Sequence, residues 1–515
     1  MRVEKLSFDK TKSFSRIFLD YVASEPKLAH THSFEPSIQG FEKALSYRKL
    51  STKHRKILVE VLQEQYADLD ISDLVKDNID SLKKKNTFTV TTGHQLNIFT
   101  GPLFFIYKIV TTINICKELS DKFPEYNFVP VYWMASEDHD FDEINHVFVD
   151  GEKFVWETDQ TGAVGNFTTE ELAKLADEIP GKTSLFKKAY TGTGNLANAG
   201  RHYVNELFGD KGLVVIDANN RALKGEFSEI VKDELLNHTS FAKVTERSEF
   251  LVEQGYKPQL NPREINLFYL EDNLRARIEE IDGVFTIVDT DLSFTQEEIL
   301  KLVDEYPERF SPNVILRPVY QEVILPNLGY VGGPAELAYW LQFKEMFDHF
   351  KIDFPVLMPR NFGLYLNKNT QRKQKKLGFN HADFFNDIDA LKKRLVHSMN
   401  GELGLGKERK NILVMYDSLK KLAHKIDVTL EPHIQAQFTK HQQCLDKIES
   451  KLVTAEKRNR DDEMKMIAAL KEYAFPGGTL QERKVNFLSI YNENFIDEVM
   501  ELTDPFDLRM HIYLD

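Results

Sequence analysis

Apolar and polar positions change rhythm several times along the chain, and each change marks an expected element. Residues 1–85 read as mostly helical and end in Lys83-Lys84-Lys85. At 86–92 (NTFTVTT) β-branched and aromatic residues alternate with threonine and stop at Gly93, the pattern of a strand. From Pro102 to about Leu119 the apolar positions predict a helix, with proline in its first turn. A second strand is expected at 128–134 (FVPVYWM), which completes a βαβ unit. The alternation returns in LVVID (213–217), followed by helical sequence from about Ala222. PNVILRP (312–318), LGYVGG (328–333), a helix from Pro334 to about Phe350, and FPVLMP (354–359) follow. Core strands separated by helices predict an α/β fold: a Rossmann-like, doubly wound parallel sheet.

Two stretches break the rhythm and read as insertions covering the active edge of the sheet. The expected organisation is an N-terminal helical part of the core (1–85), a first half of the core (86–150), and an insertion (151–212). A second half (213–384) follows, carrying its own insertion at about 242–310. Residues 385–472 are rich in Lys, Glu, Gln and Leu. Leu419, Leu422 and Ile426 are spaced 3–4, and Leu445, Ile448, Leu452 and Ala455 are spaced 3–4–3, with Pro432 between the runs. This is a helical arm, either two antiparallel helices or an intermolecular coiled coil. The tail 473–515 returns to the core after Pro476-Gly477-Gly478 ends the helix.

Composition narrows the function. The 515 residues are 42% hydrophobic and 28% charged, as in a folded protein of several domains. A net charge of −14 disfavours nucleic acid as a partner. Two cysteines, Cys116 and Cys444, provide neither a disulfide framework nor a zinc site of three or four thiolates. The first residues lack the continuous apolar core of a secretory signal, and no run is long enough to cross a bilayer. The expectation is a cytoplasmic protein with no membrane partner.

Three segments fall at expected strand ends, where a doubly wound sheet gathers its ligand-binding groups. In TTGHQLNIFTGPLFFIYK (91–108), Gly93, Gly101 and free backbone N–H groups suit a phosphate or carboxylate, and His94 can donate to an acyl or phosphate oxygen. Lys108 is the sole charge in the fourteen residues Leu103–Cys116. In WMASEDHDFDEINH (133–146), five carboxylates and one histidine occupy the seven positions Glu137 to Glu143. Asp138, Asp140 and Glu137 there can orient an amine, take its proton or hold Mg²⁺, with His139 between the two aspartates. In residues 311–340, Arg317 is expected at a strand end as a carboxylate or phosphate clamp, as is Arg360 after the next strand. Gly332 and Gly333 permit close backbone approach, and Glu336 lies in the first turn of the following helix. The same segments add Gln95, Asn97, Thr100, Trp133, Asn145, Tyr320, Gln321 and Tyr339 to the candidate binding set, beside the candidate catalytic set His94, Asp138, His139 and Asp140.

GHQLNIFTGP (93–102) with Lys108, PVYWMASEDHDFDEINH (130–146), residues 311–340, PVLMPR (355–360) and FPGGTLQERKVNFL (475–488) stand in order along nearly the whole chain. Through them the sequence resembles the bacillithiol-biosynthesis cysteine-adding enzymes. The resemblance implies a Rossmann-type core similar to class I aminoacyl-tRNA synthetases, inserted connecting segments, and a helical arm that forms a homodimer. It also implies that cysteine is joined through an amide to the amine of glucosaminyl-malate; the expected energy source is ATP, with Mg²⁺ as its companion ion. The His-x-Gly-His signature of class I synthetases is reduced here to Gly93-His94 followed by Gln95, and TQRKQKKLG (370–378) is a loose substitute for their second signature. Activation through an adenylate and through an acyl phosphate both stay open. So do two other readings: a nucleotidyltransferase acting on another substrate, and a non-catalytic dimeric scaffold.

Overall fold

The structure, a computed structural model, describes residues 1–399, 405–490, 492 and 494–515. Of the segments read above, residues 400–404 of the arm and 491 and 493 of the tail lie outside the described residues. The chain divides into two compact units, Met1–Leu364 with Gln481–Tyr513, and Tyr365–Leu480 with Leu514–Asp515.

The first unit is built on five parallel strands: β1 (Thr87–Gln95), β2 (Asn127–Ala135), β3 (Val214–Asp217), β4 (Asn327–Gly332) and β5 (Val356–Pro359). Their spatial order is β5-β4-β1-β2-β3. Strand order therefore reverses between β1 and β4, and the crevice at their carboxyl ends is where such sheets receive ligands. The apolar strands are buried on both faces, as parallel sheets require. Phe41, Phe88, Val90, Ile115, Leu119, Phe128, Val331, Val356 and Met358 belong to one core cluster. Thr89 and Thr91, polar residues in the central strand, are satisfied because both hydroxyls donate to Asn327 Oδ1 on β4, at 3.1 and 2.8 Å.

Four helices matter for the site: α1 (Phe104–Lys122), α2 (Leu196–Phe208), α3 (Arg317–Ile324) and α4 (Pro334–Trp340). The run 312–318, expected as a core strand, is not one. Phe310–Pro312 is a short antiparallel strand, and α3 begins at Arg317. Asn313 makes the break: its Oδ1 accepts from Ile315 N–H and its carbonyl from Arg317 N–H, both at 2.9 Å, while Pro318 suits the first helical turn. Arg317 therefore starts a helix instead of ending a strand. The helix expected over Pro334–Phe350 is two, α4 and Lys344–Phe350, separated by turns in which Gln342 and Phe343 N–H groups bond three residues back. Residues 1–85 also hold a strand, Arg2–Leu6, which neighbours Met510–Leu514 in a small sheet.

Between β2 and β3 come a hairpin (His146–Val149 with Glu152–Val155) and helices ending in α2. Between β3 and β4, four antiparallel strands within Leu267–Thr295 join Phe310–Pro312 in a five-stranded sheet. The second unit contains helices Gly406–Ile426 and Glu431–Asn459, joined side by side by Arg409 with Asp446 (2.7 Å) and Glu449 (2.8 Å) and by the rings of Tyr416 and Phe438. Among the described residues no helix is long and apolar enough to cross a membrane.

Candidate active site

At the β1/β4 reversal a cavity of about 280 Å³ opens. Eight expected residues line it: Gly93, His94, Gln95, Lys108, Trp133, Arg317, Glu336 and Tyr339. Phe104, Ala135 and Tyr330 line it too and escaped the sequence reading. Tyr330 was legible only as part of a buried strand, and Phe104 as an apolar helix position.

The floor is a buried ion pair. Lys108, carried inward by α1, donates to Glu336 (2.7 Å to Oε2) and to the Gly93 carbonyl (2.7 Å). Glu336 also accepts from the Tyr330 hydroxyl and the Gly333 N–H, each at 2.7 Å. Burial works against ionising this carboxyl, but Lys108 and these hydrogen bonds prevail and hold it down at about 2. Burial lowers the Lys108 ammonium, with Glu336 opposing. The pair fixes the ends of β1 and β4 relative to α1 and α4.

His94 lies against Phe104 and Phe105, with ring centroids 5.0 and 5.4 Å away. Burial, with Lys108 and Arg360 adding positive charge nearby, depresses its imidazolium to about 3, so the ring is neutral at physiological pH. Asn97 Nδ2 approaches its Nε2 at 3.4 Å.

Arg317 sits between two aromatic faces, its guanidinium carbon 5.6 Å from the Trp133 centroid and 5.5 Å from that of Tyr330. Nη1 donates to Gln321 Oε1 at 3.0 Å, while Nη2 is buried with no hydrogen-bond partner. A buried donor left unmet costs about 1–3 kcal/mol, which an incoming acceptor would recover.

The acidic loop after β2 reaches the cavity through Gln95, whose Nε2 donates to Asp138 Oδ2 (3.0 Å) and Glu143 Oε2 (2.6 Å). Burial raises the Asp138 carboxyl, but hydrogen bonds from His139 and Gln95 and the Arg275 guanidinium outweigh it and leave it well below the usual carboxylate range. His139 and Asp140 are exposed. His139 Nδ1 lies 2.6 Å from Arg275 Nη1. Asn145 sits farther along the loop, its side chain 3.0 Å from His146 Nδ1.

Several of the expected residues already have partners within the protein. Glu137 is taken up by Lys224, a buried cation that also donates to the Phe310 carbonyl at 2.9 Å, so it is not free to orient a substrate amine. The Arg360 fork is occupied by Glu482 (Nη1–Oε2 3.0 Å, Nη2–Oε1 2.5 Å), whereas Arg317 has no carboxylate on its fork among the described residues. Tyr320 and Gln321 are fully buried behind the cavity: the Tyr320 hydroxyl donates to the Ala218 carbonyl at 2.7 Å, and Gln321 buttresses Arg317. Gly101 N–H is spent on the Ile98 carbonyl at 2.9 Å. Phe99, Thr100 and Gly101 all have positive φ (51°, 70° and 65°), a conformation that costs about 1–3 kcal/mol for a non-glycine residue. Asn486 holds this turn by donating to the Phe99 and Gly101 carbonyls at 2.7 and 2.5 Å. Gly332 and Gly333 end β4, where Gly332 accepts from Arg360 N–H at 2.9 Å.

Among the described residues no group of three or more His, Cys, Asp or Glu is placed to hold a metal ion. Cys116 is buried on α1, its thiol pushed up by burial, and Cys444 is exposed on an arm helix.

Comparison with known proteins gives the same frame. The family model described as bacillithiol biosynthesis BshC, N-terminal Rossmann-like domain, matches residues 1–361, and its C-terminal coiled-coil counterpart matches 363–514. The chain is 42% identical to the "Putative cysteine ligase BshC" of Flavobacterium psychrophilum, with 98% of each chain covered. Proteins of the same name from Christiangramia forsetii and Cytophaga hutchinsonii are 41% and 40% identical, covering 98% and 99% of both chains.

Proposed function

The chain belongs to the bacillithiol biosynthesis BshC family, and from that premise we propose that it is the ligase that joins cysteine to the amine of glucosaminyl-malate. The observation that carries the reading is the cavity at the β1/β4 reversal, where one guanidinium with an unmet donor stands beside a neutral histidine and an ionised aspartate loop.

Glucosaminyl-malate is a dicarboxylate, and Arg317 offers it a cation set between the rings of Trp133 and Tyr330. The amide forms as the glucosamine nitrogen attacks the activated cysteine carbonyl. The C–N bond is made, the C–O bond to the activating group breaks, and the nitrogen sheds a proton. Asp138 orients the amine as a hydrogen-bond acceptor. Its low pKa makes it a poor store for the proton, which passes on to solvent. His94, kept neutral, donates a ring N–H to the oxygen that gains charge in the tetrahedral intermediate. Lys108 is neutralised by Glu336 and serves as a fixed post rather than a mobile charge.

ATP supplies the activation in this reading, with Mg²⁺ carried on its phosphates. Release of pyrophosphate identifies an adenylate intermediate, and release of inorganic phosphate an acyl phosphate. The protein acts in the cytoplasm as a homodimer, a reading supported by exposed apolar residues on the arm helices (Leu419, Leu422, Ile426, Ile448 and Leu452). Sedimentation equilibrium at micromolar protein should give twice the mass of one chain.

The purified protein, supplied with L-cysteine, glucosaminyl-malate and ATP, should yield the amide product by mass spectrometry. Absence of product with a folded protein, or equal product without glucosaminyl-malate, would overturn the reading.

A further inference from the structure

A second cavity, of about 680 Å³, opens on the same edge of the sheet. It lies at the end of β3, where Asp217 is in register with Met134 on β2, and Met134 with His94 on β1. Two inter-strand steps of about 4.8 Å put Asp217 about 10 Å from His94 at one level of the sheet.

The walls carry opposite charges. Asp217 is the acid at the sheet edge, its Oδ1 accepting from Ser136 Oγ (2.5 Å) and from Asn219 N–H (3.0 Å). Glu64 and Asp68 add two carboxylates from the helix Thr52–Gln65 and the residues after it. Facing them are Arg201 and His202 on α2, and Lys188. Arg201 is 5% exposed; Nη1 donates to Asn198 Oδ1 at 3.1 Å, and Nε is buried without a partner. His202 Nδ1 is likewise buried and unpartnered. Asp217 attracts this guanidinium across the cavity, but among the described residues no carboxylate lies within 4.0 Å of it, so a ligand between the two would relieve the cost of its burial.

The charges choose among ligand classes. A phosphate would face three carboxylates. A neutral sugar would bring no charge to the gap between Arg201 and Asp217, and a simple amine would meet Arg201 and Lys188. A zwitterion satisfies both walls. We propose that this cavity is the amino-acid subsite, with Arg201 taking the α-carboxylate and Asp217 the α-ammonium of the substrate cysteine. The assignment rests on the ligase reading above. It is a docking site held before activation: the cysteine carboxyl must leave Arg201 and cross the two strand ends to His94 before the amine can attack it.

Calorimetry with the full chain tests it, using L-cysteine, 3-mercaptopropionate (no amine) and cysteamine (no carboxylate). L-Cysteine should bind, and each analogue should bind about tenfold more weakly or worse. Arg201→Met and Asp217→Asn should each weaken cysteine binding about tenfold or more. Folded variants that bind cysteine as the wild type does would overturn the subsite. If Arg201→Met does not fold, a wild-type crystal soaked in L-selenocysteine decides: an anomalous selenium peak between Arg201 and Asp217 supports the proposal, and one beside Arg317 overturns it. Failure of the two readings is separable. Cysteine binding that depends on Arg201, with no ligation of glucosaminyl-malate, would overturn the ligase. Ligation by folded Arg201→Met with an unchanged KM for cysteine would overturn the subsite alone.

Discussion

Replacing Arg317 by methionine removes the one guanidinium of the cavity with a donor to spare. Its Nη2 is buried and unpartnered, whereas Nη1 is shared with Gln321. One charge-assisted bond from Nη2 to a malate carboxylate is worth about 1.5–3 kcal/mol, or about 10- to 150-fold in kcat/KM. A second bond from Nη1, if Gln321 yields it, moves the loss toward the upper end. The variant also forfeits contacts with Trp133 and Tyr330 worth about 0.5–2 kcal/mol, but relieves the unmet donor, so its stability should stay within about 1 kcal/mol of wild type. Arg317→Lys keeps the charge without the fork and should fall between the two. The assay is steady-state kinetics with glucosaminyl-malate against an alkyl glucosaminide lacking both carboxylates. Arg317→Met should lose activity on the first and change little on the second. Equal losses on both substrates would refute the clamp and make Arg317 a packing residue.

Glu336→Gln leaves Lys108 as a buried cation without its counter-charge and should destabilise the first unit by about 3–5 kcal/mol, read from thermal melts; adding Lys108→Met should recover much of that loss. Arg360→Met should cost a similar amount by stranding Glu482, and the Arg360→Met/Glu482→Met pair should cost less than either change alone. For His94 the folded pKa of about 3 lies below the unfolded value, so its contribution to stability is complete above about pH 6.5 and is lost as pH falls toward 3. By pH 5 the loss is about 2 kcal/mol, and His94→Gln should remove that part of the acid sensitivity. The same shift means that kcat/KM should carry no limb near pH 6.5 from His94; a limb there that vanishes in His94→Gln would contradict a neutral ring.

The sheet was legible because its strands are short apolar runs ending at Gly93, Asp217 or Gly332-Gly333, a pattern set locally by burial on both faces. The run 312–318 misleads for the same reason: PNVILRP has strand composition, and the Asn313 turn that converts it to a helix start depends on one side-chain hydrogen bond. Positions at strand ends could be nominated from sequence, but not their partners. Glu482 reaches Arg360 from 122 residues away and Lys224 reaches Glu137 from 87, and nothing local signals either pair. Those two distant partners decide which charges stay open to substrate. The Arg201–Asp217 cavity was missed for a further reason: Lys188, Arg201 and His202 fall in the segment 151–212 read as an insertion, while Asp217 showed only as the end of a strand.

A crystal of the wild-type protein with glucosaminyl-malate bound tests the central claim most directly. A malate carboxylate should lie within about 3 Å of the Arg317 guanidinium, with the glucosamine nitrogen turned toward the Asp138 loop over the ends of β1 and β4. Glucosaminyl-malate found elsewhere on the first unit, with Arg317 Nη2 still unpartnered, would contradict it.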